Sequence, residues 1–545
     1  MMKKSIPILS IGFFIGQAVL YIAYINRFSF HFPVQDDVTL IEFIHAKETG
    51  IGLFNQLFRV DNDHAIVIPR IATWVNQLIH GSVNFKQLIM WSAVTLTGCF
   101  YLVFTQFQKL KIAFPYFIPV GFILFQPQYF EVSNWAITGL QHINIILFVC
   151  LSLVALEKNN LKLALFWSIL AGFTFGNGIV LFVVLAAYLI FAKRYKDLII
   201  WGIGIGLYVG LLLPHYVFGQ QAKFDFNVGY IANYALGILG ACALDLSGGN
   251  LQAGIGLGAL LFGYWAYLFF FKKARNFFSY LFLFIVGTCL IIAIPRSSND
   301  WTNYNSSRYF IYAPFALISL YALSLSQFQR FRKKIFICTS LLSLAFCFMS
   351  YHNHSAQMVA RFQVNQADND NWIRHQRVLG NVPQVFINDQ KIVQDAFQLH
   401  YIDQEPGILA KKDLVYFSSD IPTWKLAESM LVERHETSIR ERDAVWIKRF
   451  DYLLFPNFKG ENTLNNAWYI MLQHNQTNKI YTVAINFKKG SLRKLIQEGH
   501  YLSNYGIAQL YTDGIEAGVY RLFLLNQKSG KNKLYRLAQM HEIRR

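Results

Sequence analysis

The stretch Pro33–Arg70, PVQDDVTLIEFIHAKETGIGLFNQLFRVDNDHAIVIPR, lies between the first two strongly apolar segments of the chain. It holds six of the twelve acidic residues that precede position 352, namely Asp36, Asp37, Glu42, Glu48, Asp61 and Asp63. Carboxylates are thus gathered where an apolar part of the chain first meets water. The adjacent pair Asp36-Asp37 has the chemistry of a general base or a cation ligand. Capping of a helix that starts near Val38 is the plainer role open to it. A second cluster, Asp61-Asn62-Asp63-His64 with Arg70 following, combines acid, imidazole and guanidinium. That mixture suits a charged or sugar-like substrate. Helical periodicity over 38–47 and 64–80 predicts helices that lie along a membrane surface and prop these clusters.

Outward from this loop the chain becomes apolar. With 54% hydrophobic, 17% aromatic and only 15% charged residues, the 545-residue chain is too apolar for an ordinary soluble enzyme. Runs long enough to span a bilayer fall at about 6–25, 86–105, 112–128, 136–156, 161–176, 178–193, 197–217, 251–271, 277–295, 309–326 and 335–351. The expected fold is a polytopic α-helical membrane protein of about eleven transmembrane helices. The Gly-rich stretch 228–247, interrupted by Asn233 and Asp245, reads as re-entrant or interfacial.

Charge sets the orientation. Residues 1–351 hold 24 Lys and Arg, and sixteen of these sit in short connections such as Lys109/Lys111, Lys193-Arg194/Lys196 and Arg332-Lys333-Lys334. Alternating basic loops are the positive-inside signature, so the N-terminus and these loops are expected in the cytoplasm. The acidic loop, the segment 126–135, the loop 296–308 and residues 352–545 then face outward. This distribution also argues against nucleic acid as the partner of the +18 net charge. All six cysteines lie in apolar segments with no metal or redox spacing, and read as small core hydrophobes. The N-terminal apolar stretch is too long for a typical signal-peptide core and ends in no small-x-small site, so it reads as an uncleaved first helix.

The acidic pair in Gln35-Asp36-Asp37 and the run Asp61-Asn62-Asp63-His64-Ala65-Ile66-Val67-Ile68-Pro69-Arg70, which returns into a second membrane helix, resemble the GT-C class of integral-membrane glycosyltransferases. Phe175-Gly176-Asn177-Gly178 at a helix end and Ser306-Ser307-Arg308-Tyr309 at the mouth of a late helix resemble bacterial members of that class. The resemblance covers most of residues 1–351, expected as a GT-C-like transmembrane domain with 26–85 as its acidic extracytoplasmic loop. It implies a polyprenyl-phosphate-linked sugar donor, a loop carboxylate as base (Asp36 or Asp37), and location in a bacterial inner membrane with chemistry on the periplasmic side. The acceptor would be an extracytoplasmic glycan, lipid or protein in cell-envelope glycan biosynthesis.

The remaining candidates follow from chemistry. Arg308, with Arg296 and Arg70, is suited to neutralise a departing phosphate bidentately; snorkelling is the alternative for a helix-end arginine. Gln141 and His142 fall about one turn inside a span, where polar groups are expected to face a cavity. Trp135 offers a face for sugar stacking or an anchor at the interface. Asn177, Tyr309, Asp61, Asp63 and His64 complete the expected substrate contacts. No cofactor is certain: if a metal is held, the ligands are Asp37, Asp61, Asp63 and His64, and the ion Mg2+ or Mn2+.

Beyond position 351 the chain has no cysteine, no long apolar run and no catalytic motif. Residues 352–380 read as a helical linker, and 381–545 as an extracytoplasmic α/β domain. Within it a charged helix is expected near Lys425–Asp443, and strands at Lys479–Phe487, Gly518–Leu525 and Lys533–Gln539. Two other functions compete: a transporter or flippase of lipid-linked saccharides, which would place ionisable residues at mid-bilayer, and a non-catalytic assembly protein.

Overall fold

The computed structural model describes residues 8–50, 52–61, 64–212, 227–296, 306–380, 390–409, 430–441, 444–458, 460, 463–528 and 531–543. Internal packing divides the chain into two units. The first comprises Met1–Arg27, Glu42–His80 and Gln87–Tyr351, and the second Phe28–Ile41, Gly81–Lys86 and His352–Arg545.

The first unit is helical. Among the described residues six helices are long and apolar enough to cross a membrane: Phe85–Lys109, Ala136–Glu157, Leu251–Phe271, Phe277–Arg296, Ser307–Gln327 and Gln329–His375. At 1.5 Å per residue, about 20 residues match a hydrocarbon core roughly 30 Å thick. Of the other expected spans, 6–25 gives the continuous 21-residue helix Ile8–Phe28, and several are shorter or broken. Residues 161–176 and 178–193 give the helices Leu161–Gly172 and Gly176–Phe191, short of that length. In 112–128 three prolines interrupt the helical ladder, leaving a 3-10 turn at Phe114–Phe117, a helix at Ile118–Leu124 and a further turn at Pro127–Tyr129. The expected span 197–217 appears as Tyr195–Leu212, its remainder lying outside the described residues. The stretch 228–247 forms the helix Val228–Leu239, breaks at Gly240 and resumes at Cys242–Leu246. Glycine is required there by a close backbone approach. A Cβ on Gly240 would stand 2.0 Å from the Gly254 carbonyl oxygen, and one on Gly258 would stand 1.9 Å from that of Leu236. Small residues let helices approach this closely in a membrane.

The last long helix, Arg332–His375, has 44 residues. At roughly 66 Å it exceeds a bilayer core about twofold, and its mean hydropathy falls accordingly once the apolar part ends.

The second unit contains two four-stranded antiparallel sheets. With β1 (Val60–Asp61) and β2 (His64–Ala65) assigned to the first unit's loop, its strands are β3 (Leu431–Glu441), β4 (Ala444–Phe455), β5 (Asn466–His474), β6 (Ile480–Ala484), β7 (Asn486–Lys489), β8 (Leu502–Tyr511), β9 (Gly518–Lys528) and β10 (Lys531–Ile543). The orders are β10-β9-β5-β6 and β3-β4-β8-β7. Leu453, Phe455, Trp468, Ile470, Leu472, Leu510, Leu522 and Leu524 form its main core. The charged helix expected near Lys425–Asp443 is corrected: where described, this segment is strand β3, an edge strand paired only with β4. Charged side chains blunt such edges against further pairing, and that gave the sequence its helical look.

A helix turn of this unit buries four polar side chains in a row, Asp368, Asn369, Asp370 and Asn371. Asp368 accepts from the Leu379 and Gly380 amides, both at 2.8 Å. Asp370 accepts from the Thr482 hydroxyl at 2.7 Å and pairs with Arg374. Asn371 exchanges two hydrogen bonds with the Thr482 main chain in β6. Asn369 donates to the Glu405 and Pro406 carbonyls. The turn is a bracket that ties the helix to two loops and a sheet. A second seam joins segments far apart in sequence. Val83 bridges to Ile402, Ser82 donates to Asp403, and the buried His31 accepts the Phe85 amide at Nδ1 over 3.2 Å. Burial lowers the His31 pKa from 6.5 to about 4, the nearby Asp403 opposing the shift.

Candidate functional site

The acidic pair falls in the second unit. Asp36 and Asp37 form a 3-10 turn with Gln35 ahead of the helix Val38–Thr49, and Gln35 adopts φ +46, a backbone conformation that is costly for a residue with a side chain. Asp37 is 1% exposed and its carboxylate accepts the Val34 amide at 3.0 Å. Asp36 is half-buried, and its carbonyl accepts the Thr39 hydroxyl. Of the two residues, Asp36 is the less buried.

The remaining described candidates lie in the first unit. Strands β1 and β2 pair Asp61 with His64; Asp63 lies outside the described residues. The His64 ring stands edge-on to Phe175 at 4.5 Å, and a Cβ on Gly176 would sit 3.0 Å from its Nδ1. A side chain at 176 would crowd the imidazole against this turn. Arg70 opens the helix Val67–His80 and is fully buried, its Nη1 donating to the Leu57 and Arg59 carbonyls at 3.0 and 2.6 Å. It braces the loop. The same helix turns its polar face inward (Arg70, Thr73, Asn76, Gln77) and exposes Ile71, Leu78 and Ile79. An inverted pattern of this kind suits a helix whose outer medium is lipid.

A compact constellation forms where several helices of this unit end. Glu131, in the short helix Phe130–Asn134, accepts at one carboxylate oxygen from the Ser306 hydroxyl, the Ser307 hydroxyl and the Arg308 amide, at 3.1, 3.1 and 3.0 Å. Its own amide donates to Ser307 at 3.1 Å. Four hydrogen bonds thus fix the turn Ser307–Tyr309. Held there, the Arg308 guanidinium lies 5.7 Å from the Trp135 ring and 5.1 Å from that of Tyr309. Arg296 approaches the same Tyr309 ring at 4.7 Å and donates to its hydroxyl. Two cations therefore share one aromatic ring, which concentrates positive potential in a small volume.

Behind them lies a buried polar chain. His142 Nδ1 is 2.8 Å from the Tyr312 hydroxyl, and Asn177 Nδ2 donates to that hydroxyl at 2.8 Å and to Thr288 at 3.3 Å. The His142 ring meets Phe175 at 4.8 Å and Tyr309 at 5.9 Å. This links the chain to His64 on one side and to the arginines on the other. Gln141, about 100° round the helix from His142, is half-buried. Asn177 Oδ1 and both amide atoms of Asn134 are buried without a hydrogen-bond partner among the described residues. Buried amide atoms in that condition have capacity left for a ligand or water.

The structure thus brings His64, Trp135, His142, Asn177, Arg296, Arg308 and Tyr309 into one neighbourhood. Glu131, Thr288 and Tyr312 join them without having been read from the sequence. Glu131 carried a signal, as the lone carboxylate of the segment 126–135. Tyr312 carried none, being one of 29 tyrosines. Among the described residues no three of His, Cys, Asp and Glu gather as a metal site. No known protein family matches the chain, and neither curated proteins nor solved structures yield a match.

Proposed function

We propose that the protein is a membrane glycosyltransferase that moves a sugar from a polyprenyl-phosphate donor to a hydroxyl of an extracytoplasmic acceptor. The observation that carries this reading is the convergence of Arg296 and Arg308 on Tyr309 at a helix mouth, with Trp135 alongside. Paired guanidiniums at the end of apolar helices suit a phosphate whose tail stays in lipid. Attack of the acceptor oxygen on the anomeric carbon, opposite the phosphate, forms one C–O bond and breaks the other. The electron pair leaves on the phosphate, whose charge the arginines stabilise, and the acceptor proton passes to a carboxylate. The resemblance implies Asp36 or Asp37 as that base, and Asp36 is the less buried of the two. Trp135 and the His142–Asn177 group would hold the sugar. The wider proposal includes eleven crossings, a cytoplasmic N-terminus and an extracytoplasmic C-terminal unit.

The test is transfer by membranes supplied with a polyprenyl-phosphate sugar and a hydroxyl acceptor. Asp36→Asn or Asp37→Asn is expected to lower transfer by about 10²–10⁴-fold, the range for loss of a general base. Retained transfer in both variants removes the pair from the mechanism. A parallel assay with EDTA decides metal dependence. Movement of lipid-linked saccharide between leaflets, without transfer by the wild type, would favour the transporter. Reporter fusions after residues 110, 195, 274 and 331 should report the cytoplasm, and one after 360 the opposite side.

A further inference from the structure

We propose that Tyr312 and Asn177 lock His142 as its Nε2–H tautomer, so that His142 Nε2–H and Asn177 Oδ1 form a neutral donor–acceptor pair that reads hydroxyl groups of the sugar. The substrate class rests on the glycosyltransferase reading above; the tautomer does not. The argument is a count of hydrogens. Asn177 Nδ2 has two, one directed to Thr288 Oγ1 at 3.3 Å and the other to Tyr312 Oη at 2.8 Å. Tyr312 has a single hydroxyl hydrogen. Its oxygen accepts from Asn177, and the other polar atom it meets among the described residues is His142 Nδ1 at 2.8 Å, so this fully buried hydroxyl places its one hydrogen there rather than leave it unpaired. A ring nitrogen that accepts carries no hydrogen, so in the neutral ring the hydrogen sits on Nε2.

The same count leaves Asn177 with a spare acceptor. Both its hydrogens are committed, while Oδ1 is buried with no partner among the described residues, on a side chain only 1% exposed. One donor and one acceptor, on groups joined through a single tyrosine hydroxyl, match a hydroxyl, which can both accept and donate. Aromatic rings flank the imidazole, Phe175 at 4.8 Å and Tyr309 at 5.9 Å, and apolar walls with a few placed polar groups are the usual build of a sugar- or cofactor-sized site. In this arrangement His142 is a specificity-determining contact and Tyr312 a positioning residue. Neither exchanges a proton with the substrate.

The experiment is 15N NMR of the full-length protein labelled at histidine, in lipid nanodiscs, with the His142 signals assigned by their loss in His142→Gln. The expected result is a single Nε2–H tautomer for the wild type. An Nδ1–H tautomer or an imidazolium at neutral pH would overturn the proposal, and this measurement needs no folded variant beyond the one used for assignment. Tyr312→Phe should add a population of the other tautomer; an unchanged spectrum would remove Tyr312 as the positioning residue. A second arm measures transfer from farnesyl-phosphate esters of glucose, mannose and arabinose. Loss of the hydroxyl contact in His142→Ala should cost about tenfold, with His142→Gln, which keeps an N–H near the Nε2 position, restoring part of it. A pH–rate ionisation that disappears in both His142 variants would show proton transfer and sink the pair. No transfer by the wild type from any of the three esters would instead count against the glycosyltransferase reading while leaving the spectrum intact.

Discussion

Each unit buries a run of polar side chains, and the two runs are used differently. In the second unit Asp368–Asn371 direct their side chains to main-chain amides, main-chain carbonyls, Thr482 and Arg374. In the first unit His142, Asn177 and Tyr312 bond mainly to one another, and Asn177 Oδ1 is left over. A buried polar group fully met by the protein specifies a fold, whereas one met in part keeps capacity for a ligand or water. Burial alone does not separate scaffold from site; the accounting of each donor and acceptor does.

The sharpest way to break this contrast is to remove a member of the bracket. Asp370→Ala would leave the Thr482 hydroxyl and Arg374 without their buried partner, at an expected cost of roughly 3–5 kcal/mol. Hydrogen exchange in β5 and β6 reads that loss directly. A cost under about 1 kcal/mol would mean that the bracket is not a scaffold. Arg308→Ala addresses the opposite class of residue. It should lower kcat/KM by about 10²–10³-fold, through donor binding and turnover together, with exchange in the second unit unchanged.

A pH titration sharpens the comparison further. His31 is neutral in the folded protein down to about pH 4 and takes its proton near 6.5 when unfolded. Unfolding therefore takes up a proton between these values, so the His31 contribution is complete above pH 6.5 and is lost as pH falls towards 4. Its size is on the order of 3 kcal/mol. Unfolding of the second unit followed from pH 7 to pH 4 should show this decline, and His31→Asn should flatten it. The smallest effect is expected from Glu131→Gln, which keeps an acceptor for Ser306, Ser307 and the Arg308 amide but removes its charge. Transfer should fall about tenfold, through KM more than kcat; an unchanged KM would mean that the clamp does not set the position of Arg308.

The apolar framework was legible because length and hydropathy act over whole segments: 86–105, 136–156, 251–271 and 277–295 all fall within long apolar helices. The stretch 112–128 was read by apolarity alone, although Pro115, Pro119 and Pro127 cannot continue a helical ladder. Strand β3 was misread because an edge strand carries its charges for protection, and charge density resembles a solvated helix. Strands β4, β5 and β8 went unread: β5 is buried on both faces and shows no alternation to detect. In the site, arginines at helix ends and a histidine inside a span announce themselves by the cost of burying them. Tyr312 and Thr288 do not, since their importance lies in which hydroxyl meets which nitrogen across more than 100 residues of sequence.

The central claim is that the first unit's polar cluster exists to hold a lipid-borne phosphate. Equilibrium binding of farnesyl phosphate to the full-length protein in nanodiscs tests it most directly. The account predicts saturable binding that weakens with salt, that falls by about 100-fold in the Arg296→Ala/Arg308→Ala double variant, and that is unchanged in Asp36→Asn. Equal binding by the double variant and the wild type would contradict it.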